Sequence, residues 1–375
     1  MAIDKVTSAA ITDSAVTDAK LSFNSNQFRN IIINGDMSVA QRAGSASSLT
    51  SSGYYTLDRF RCVIVNAGTW TISQSTTVPS GQGFATSMKW DNTTADGSLG
   101  ASDFVSVQQF IEGQNLQYLK KGTSSAESLT VSFWVRSNKT GTYILELKDN
   151  DNTRAISQSY TISSADTWEK KTLTFAGDTT GTLDNDNAAS FLVQFALAAG
   201  SDYTSGSLQT SWGAETTANR YVGQVNLADS TSNEWYMTGL QVEVGTSASD
   251  FEFLPVDVNI NRCLRYYNTL VPLNSQSTGF ASGFYTANDN ARFTMTLQIP
   301  MRSTPSFDTT TGSNYFRLFT AAGIDYLNSY SIMSANSTNR FIIANNTSEA
   351  SGTAGYAGYA LSNDAAAYLA LEAEL

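Results

Sequence analysis

Apolar and polar side chains alternate along most of this chain with a period of two. In "LTVSFWVRS", Leu129, Val131, Phe133 and Val135 fall on one face, and Thr130, Ser132 and Arg136 fall on the other. "KKTLTF" repeats the pattern with Leu173 and Phe175, "FLVQFALA" with Phe191, Val193, Phe195 and Leu197, and "YMTGLQVEV" with Leu240, Val242 and Val244. Successive side chains of a strand point to opposite faces, so this spacing predicts short, half-buried strands. Turn-forming clusters separate them, among them Thr140-Gly141, Asp149-Asn150-Asp151-Asn152 and Thr180-Gly181. Short strands broken by such turns predict a β-sandwich of the jelly-roll kind over residues 29–256.

The stretch "DVNINRCLRYYNTL" departs from alternation. Ile260, Cys263, Leu264 and Tyr267 stand at i, i+3, i+4 and i+7, with Asp257 placed to cap. This predicts one short amphipathic helix, a connector over 257–270. Alternation then returns in "RFTMTLQIPM" with Phe293, Met295, Leu297 and Ile299, until Pro300 ends that strand. Residues 271–375 are expected to form a second, smaller β-sandwich, with "AYLALEAEL" as its last strand, although so many alanines suit a helix equally.

Residues 1–28 follow a third period, five: Val6-Thr7-Ser8, Ile11-Thr12-Asp13, Val16-Thr17-Asp18, Leu21-Ser22. A step of five turns a helix position by about 140°, and an odd step flips a strand position to the other face. Neither element gives a continuous apolar stripe. Val6, Ile11, Val16 and Leu21 are therefore expected to be buried only between identical chains or in a socket on a partner, as an attachment and oligomerisation segment. A disordered arm is the plainer alternative.

Composition agrees with an all-β chain, since aromatic residues make up 11 % and β-branched residues are frequent. Charged residues are only 15 %, against about 25 % in ordinary soluble domains. A net charge of −11 without a Lys/Arg run offers no footprint for phosphate backbones, so no nucleic acid is expected as a partner. No apolar run approaches the roughly 18 residues of a membrane span, and "MAIDKVTSAA" lacks a cationic segment followed by an apolar one. Neither membrane insertion nor a secretion signal is expected. Cys62 and Cys263 stand far apart and are expected as small buried apolar residues. The chain has no histidine, which excludes Ser-His-Asp and Cys-His nucleophiles and His-ligated zinc. No cofactor is expected.

Two stretches carry a resemblance. "RNIIINGDMSVAQR" (Arg29 to Arg42) with "YTLDRFR" (Tyr55 to Arg61), and "TGLQVEVGTSASDFEFLPVDVNINRCLRYY" (Thr238 to Tyr267), resemble the opening and closing signatures of a jelly-roll domain of bacteriophage tail-fibre and receptor-binding proteins. That domain is similar in fold to carbohydrate-binding modules. "IPMRSTPSF" (Ile299 to Phe307) and the ending "EAEL" resemble the C-terminal domain that often follows it, and the pentads resemble the attachment segments of phage fibres. The resemblance implies a homotrimeric virion fibre, held by its N-terminus to other tail or head proteins, with an outer C-terminal end.

Sugar recognition stacks aromatic faces on ring faces and bonds hydroxyls to polar side chains. Trp212, in "GSLQTSWGAETT", and Tyr203 stand in Gly/Ser/Thr-rich segments, while Tyr315, Phe316, Tyr326, Tyr330, Tyr356 and Tyr359 stand among Gly, Ser and Asn. These are the candidate ligand-binding residues, taken as loop residues; for Trp212 and Tyr203 the alternative is a contact between subunits, favoured in an oligomer, and for the C-terminal group it is the fold interior. Trp70, Trp90, Trp134, Trp168 and Trp235 lie in alternating stretches and are expected in the core. Asp149, Asp151 and Asn152, or Asp184 and Asp186, could ligate Ca²⁺, but hairpin turns use the same residues, so no metal is expected. Glycoside hydrolysis needs only two carboxylates, for which Asp58, Glu112, Glu146 and Glu243 exist without sign of a converging pair.

The function expected from all this is a non-enzymatic virion tail fibre that binds a host-surface receptor, glycan in the first instance, through outer loops. A head fibre or tail adaptor of purely structural role is the alternative, and a glycan depolymerase a more distant one.

Overall fold

The computed structural model describes residues 28–335 and 341–375. Val6, Ile11, Val16 and Leu21 lie outside the described residues. The chain is an all-β sandwich fold, 43 % strand and 7 % helix.

Twelve strands build the first unit: β1 (Ser45–Leu49), β2 (Arg61–Val65), β3 (Thr69–Ser75), β4 (Ser87–Thr94), β5 (Phe104–Glu112), β6 (Leu129–Ser137), β7 (Gly141–Asp149), β8 (Arg154–Ile162), β9 (Glu169–Phe175), β10 (Ala189–Ala199), β11 (Gly213–Ala214) and β12 (Glu234–Val244). They form two six-stranded antiparallel sheets, ordered β1-β3-β4-β12-β6-β9 and β11-β8-β7-β10-β5-β2. The inner faces share one core, in which Trp70, Trp90, Phe195 and Trp235 are buried with Leu129, Val131, Phe133 and Val135 of β6. Trp70 and Trp90 meet edge to face at 5.6 Å.

Strict alternation does not hold everywhere. In β12 the inward residues are Trp235 and Met237, then Leu240 and Val242, so the phase slips by one residue. Gly239 makes the slip, in the left-handed region (φ 64°), where a Cβ would also stand 2.5 Å from Phe84 Cζ. Val244, expected inside, is exposed at the end of the strand. Trp134 and Trp168, expected in the core, are half-buried instead. Trp134 shares the outward phase of Thr130, Ser132 and Arg136, and Trp168 precedes β9 and leans on Tyr236 at 6.2 Å.

The connector is shorter than expected. A four-residue helix α1 (Ser201–Thr204) lies inside the first unit, and α2 (Val256–Leu264) ends six residues before position 270. Pro255 occupies the cap position and no side chain caps the helix, so Asp257 is an exposed first-turn residue and not a cap. Cys263 is fully buried, whereas Ile260 is exposed and Asn259 takes the inner position, donating to Asp36 (3.1 Å) and Ser38 (2.9 Å). Tyr267 is buried, but as the first residue of a strand.

The second unit contains β13 (Tyr267–Val271), β14 (Gly279–Ala287), β15 (Asn290–Thr296), β16 (Ser306–Thr309), β17 (Phe316–Thr320), β18 (Gly323–Leu327), β19 (Ser331–Ala335), β20 (Phe341–Asn346), β21 (Ala357–Ser362) and β22 (Leu369–Glu372). β13-β22-β16 form a small sheet, and β18-β17-β21-β14-β15-β20-β19 a seven-stranded one. Val271, Leu369 and Leu371 of the first pack with Phe293, Met295, Phe316, Leu318 and Ile342 of the second. The chain end returns to the first unit: Arg59, itself fully buried, pairs with Glu374, Arg42 reaches Glu372 and Glu374 (3.1 and 3.3 Å), and Tyr54 donates to the Leu375 carbonyl at 2.8 Å.

Candidate functional site

Seven strands side by side offer two faces, and the small sheet covers only one of them. In β17, Phe316 and Leu318 point into the core while Phe319 is 50 % exposed. Phe319 is paired across the sheet with Ile324 of β18 and with Tyr359 of β21, which is 67 % exposed. The same row continues through Ser282 of β14, Thr294 of β15 and Ile343 of β20. Rings and aliphatic side chains occupy one half of this outer face and hydroxyls begin the other. Tyr326 extends the apolar half, two residues along from Ile324.

A cleft of about 260 Å³ opens at the edge strand β18, between the Thr320–Gly323 turn and the 351–356 loop; Ile324 of the row reaches its lining, while Thr320, Asp325 and Tyr285 carry the opposite, core-facing phase. Gly323, with φ of 137°, closes the tight turn onto Thr320. Asp325 is the charged group lining the cleft. Its Oδ2 accepts from the Tyr285 hydroxyl at 2.7 Å and from the Ser351 backbone N–H at 2.8 Å. Its Oδ1 makes no hydrogen bond among the described residues. Burial, then the bond to Asp325, push the Tyr285 phenol above its ordinary pKa, which keeps it a donor. The loop is held by Gly352 N–H to Asn288 O (2.8 Å) and Tyr285 N–H to Tyr356 O (2.9 Å). Gly352 lies directly on the Tyr285 ring, where a Cβ would be 2.2 Å from Cζ. Tyr356 is exposed at the rim, beside the hydroxyls of Thr320, Ser351 and Thr353.

The sequence candidates divide into three groups. Tyr356 lines the cleft, and Tyr326 and Tyr359 stand on the outer face, in strands and not in loops. Tyr330 is core, ringed by Phe280, Phe293 and Phe316 at 5.4, 4.7 and 5.0 Å, and Phe316 is fully buried. Tyr315 is half-buried against the same core. In the first unit, Tyr203 packs against Phe104 at 5.1 Å with the rings tilted. Trp212 donates its indole N–H to the Ala176 carbonyl at 2.8 Å, packs on Phe191 at 6.2 Å, and precedes β11, which pairs with β8. Both rings are spent on packing there. Phe319, Ile324, Asp325, Tyr285 and Ser351 were not singled out. The trace of Phe319 and Ile324 in the sequence is "FRLFTAAGIDYL", where the phase that should face water carries Phe319, Ile324 and Tyr326.

The acidic groups considered for metal or catalysis are engaged internally. Lys121 Nζ sits among Asp149, Asp178 (3.0 Å) and the carbonyls of Gly181 (2.9 Å) and Thr180 (3.2 Å), an ammonium standing where a cation would. Asp151 accepts from Asp184 N–H and Asp186 from Ala188 N–H. Among the described residues no three His, Cys, Asp or Glu groups are placed to hold a metal. Glu146 is gripped by Arg220 (2.6 and 2.9 Å) and Glu243 by Ser249 (2.6 Å). Burial pushes the Glu112 pKa upward, but bonds from Arg265 and Tyr266 outweigh it and hold it below the ordinary value. Asp58 accepts from Gln41 N–H at 2.8 Å, and burial lifts its pKa to about 6.

No protein-family model matches the chain, and no curated protein matches it. Among solved structures, the enzymatically active domain of tailspike protein 4 of bacteriophage CBA120 is similar over 58 % of this chain at 13 % identity and a TM-score of 0.30, and only 22 % of that chain is covered. A C-terminal family 22 carbohydrate-binding module of a Clostridium thermocellum xylanase is similar over 51 % of this chain and 89 % of its own, at 12 % identity and a TM-score of 0.27. A family 11 carbohydrate-binding module of the same organism, solved with a β-1,3-1,4-mixed-linked tetrasaccharide, is similar over 55 % of this chain and 98 % of its own, at 14 % identity and a TM-score of 0.25.

Proposed function

We propose that this chain is a non-catalytic virion fibre subunit that binds a host-surface glycan through the seven-stranded sheet of its C-terminal unit. The supporting observation is the exposed Ile324-Phe319-Tyr359 row, which meets the polar cleft at Asp325 around the edge strand β18, where Ile324 belongs to both. Exposed rings stack on the CH faces of a sugar, while a carboxylate oxygen with spare capacity and neighbouring hydroxyls accept and donate to its OH groups. The cleft lining contains no Lys or Arg, which suits a neutral sugar better than an acidic one. The fibre setting, the N-terminal attachment and the trimer are supported by the phage-fibre signatures at Arg29 to Arg61 and Thr238 to Tyr267 and by the pentads. Three copies would convert weak single sites into useful avidity.

Fluorescently labelled full chain applied to intact host cells tests this reading. Binding should disappear after periodate oxidation of surface glycans and persist after surface proteolysis. Binding with the reverse sensitivity overturns the glycan assignment. A structural role is favoured by one observation, the exposed aliphatic side chains of Ile324 and Met333 on the same face, which suit a protein neighbour. It predicts no adsorption to cells at all.

A further inference from the structure

A second cleft, of about 330 Å³, lies in the first unit, far in sequence from the cleft at Asp325. Its walls include Ile31, Ile33 and Ile111, with the rings of Phe28 and Tyr118 at the mouth, both exposed by half or more. Two cations line it, Arg262 in the last turn of α2 and Arg265 at the cap position that follows. Arg262 makes one long hydrogen bond, 3.3 Å to the Asn30 carbonyl, and no ion pair among the described residues. Glu252 attracts it from farther off, with both oxygens taken by the backbone N–H groups of Phe28 and Asn30. Arg265, three residues on, shows the contrast: Glu112 holds it through two bonds of 2.7 Å. Burial accordingly drags the Arg262 pKa down, while Arg265 is held above the ordinary value chiefly by its bond to Glu112. A guanidinium withdrawn from water without a carboxylate is a costly arrangement, relieved when an anion joins it.

We propose that this cleft binds the ring-borne carboxylate of an acidic monosaccharide, with Arg262 pairing the carboxylate and Tyr118 stacking on the ring. The apolar walls favour a sugar's CH face over a fully hydrated inorganic anion, and the volume lies at the low end of ligand pockets, roughly 300–1,000 Å³. Asn115, exposed at the same cleft, supplies an amide for a hydroxyl. This site is independent of the C-terminal one and takes the opposite class of sugar.

Calorimetric titration of the full chain with trigalacturonate and N-acetylneuraminate, each beside its carboxyl-reduced form, tests the proposal. At least one acid should bind tenfold or more tightly than its reduced form. Arg262→Met should abolish that preference and Tyr118→Ala should weaken the acid severalfold, while Asp325→Asn leaves it unchanged. Should Arg262→Met fail to fold, the exposed Tyr118→Ala decides. Binding of neither acid, an acid preference that survives Arg262→Met, or acid binding untouched by Tyr118→Ala overturns the site. Acid binding lost with Asp325→Asn would move it to the other cleft and overturn it equally, whereas loss of neutral-glycan binding alone bears only on the C-terminal reading.

Discussion

Tyr285 donates its hydroxyl to Asp325 at 2.7 Å, so a residue of the second core fixes the one carboxylate of the polar cleft. The bond crosses from β14 to β18, strands that are not neighbours in the sheet. It reaches because the Tyr285 ring runs under Gly352. Placing a methyl 2.2 Å from that ring must lift the loop, and Gly352→Ala should destabilise the protein by about 1–3 kcal/mol. Hydrogen exchange at the Ser351 amide, now bonded to Asp325, should accelerate in the variant. A denaturant midpoint and an exchange profile equal to wild type would show that the loop does not depend on this contact.

The clasp between the units predicts a large effect from a conservative truncation. Glu374 neutralises Arg59, which is fully buried and lies 3.5 Å over the Tyr266 ring. Removing one member of a buried pair leaves an uncompensated charge and costs about 3–5 kcal/mol. Glu374→Ala should lose stability in that range in equilibrium unfolding, and Arg59→Met combined with Glu374→Ala should recover part of it.

Asp58 gives a pH dependence of known sign. Its folded pKa, about 6, is raised above that of an unfolded aspartate, about 3.9, so the folded chain binds the proton more tightly. Its stabilising contribution is complete below about pH 4 and is lost as pH rises through 6, on the order of 3 kcal/mol. The difference in unfolding free energy between wild type and Asp58→Asn should therefore fall with rising pH across this window. A difference that stays flat from pH 4 to 7 would show that Asp58 is not perturbed.

Strand existence was legible because burial and alternation coincide. Leu129, Val131, Phe133 and Val135 lie in β6 and in the core as their spacing requires. Legibility ended where one residue resets the phase or a tertiary contact overrides a period. Gly239 slips β12 by one position, and pairing of Tyr267 with Glu372 turns the end of the expected helix into strand. For the candidate site, Tyr326, Tyr356 and Tyr359 were visible as aromatics among small polar residues. Tyr330 carries the same local signature and is core, because composition does not say which face of a strand is covered. Asp325 and Tyr285, 40 residues apart, become partners only through the fold.

The central claim is that the Phe319-Tyr359 row and the Asp325 cleft form one glycan site wrapped around the edge strand β18, and the affinity of single variants for a neutral oligosaccharide from the host surface tests it most directly. Tyr359→Ala and Asp325→Asn should each weaken binding about tenfold, equivalent to roughly 1.4 kcal/mol, while the exposed Tyr359 position leaves stability within about 0.5 kcal/mol of wild type. Oligosaccharide affinity unchanged in both variants would contradict the account.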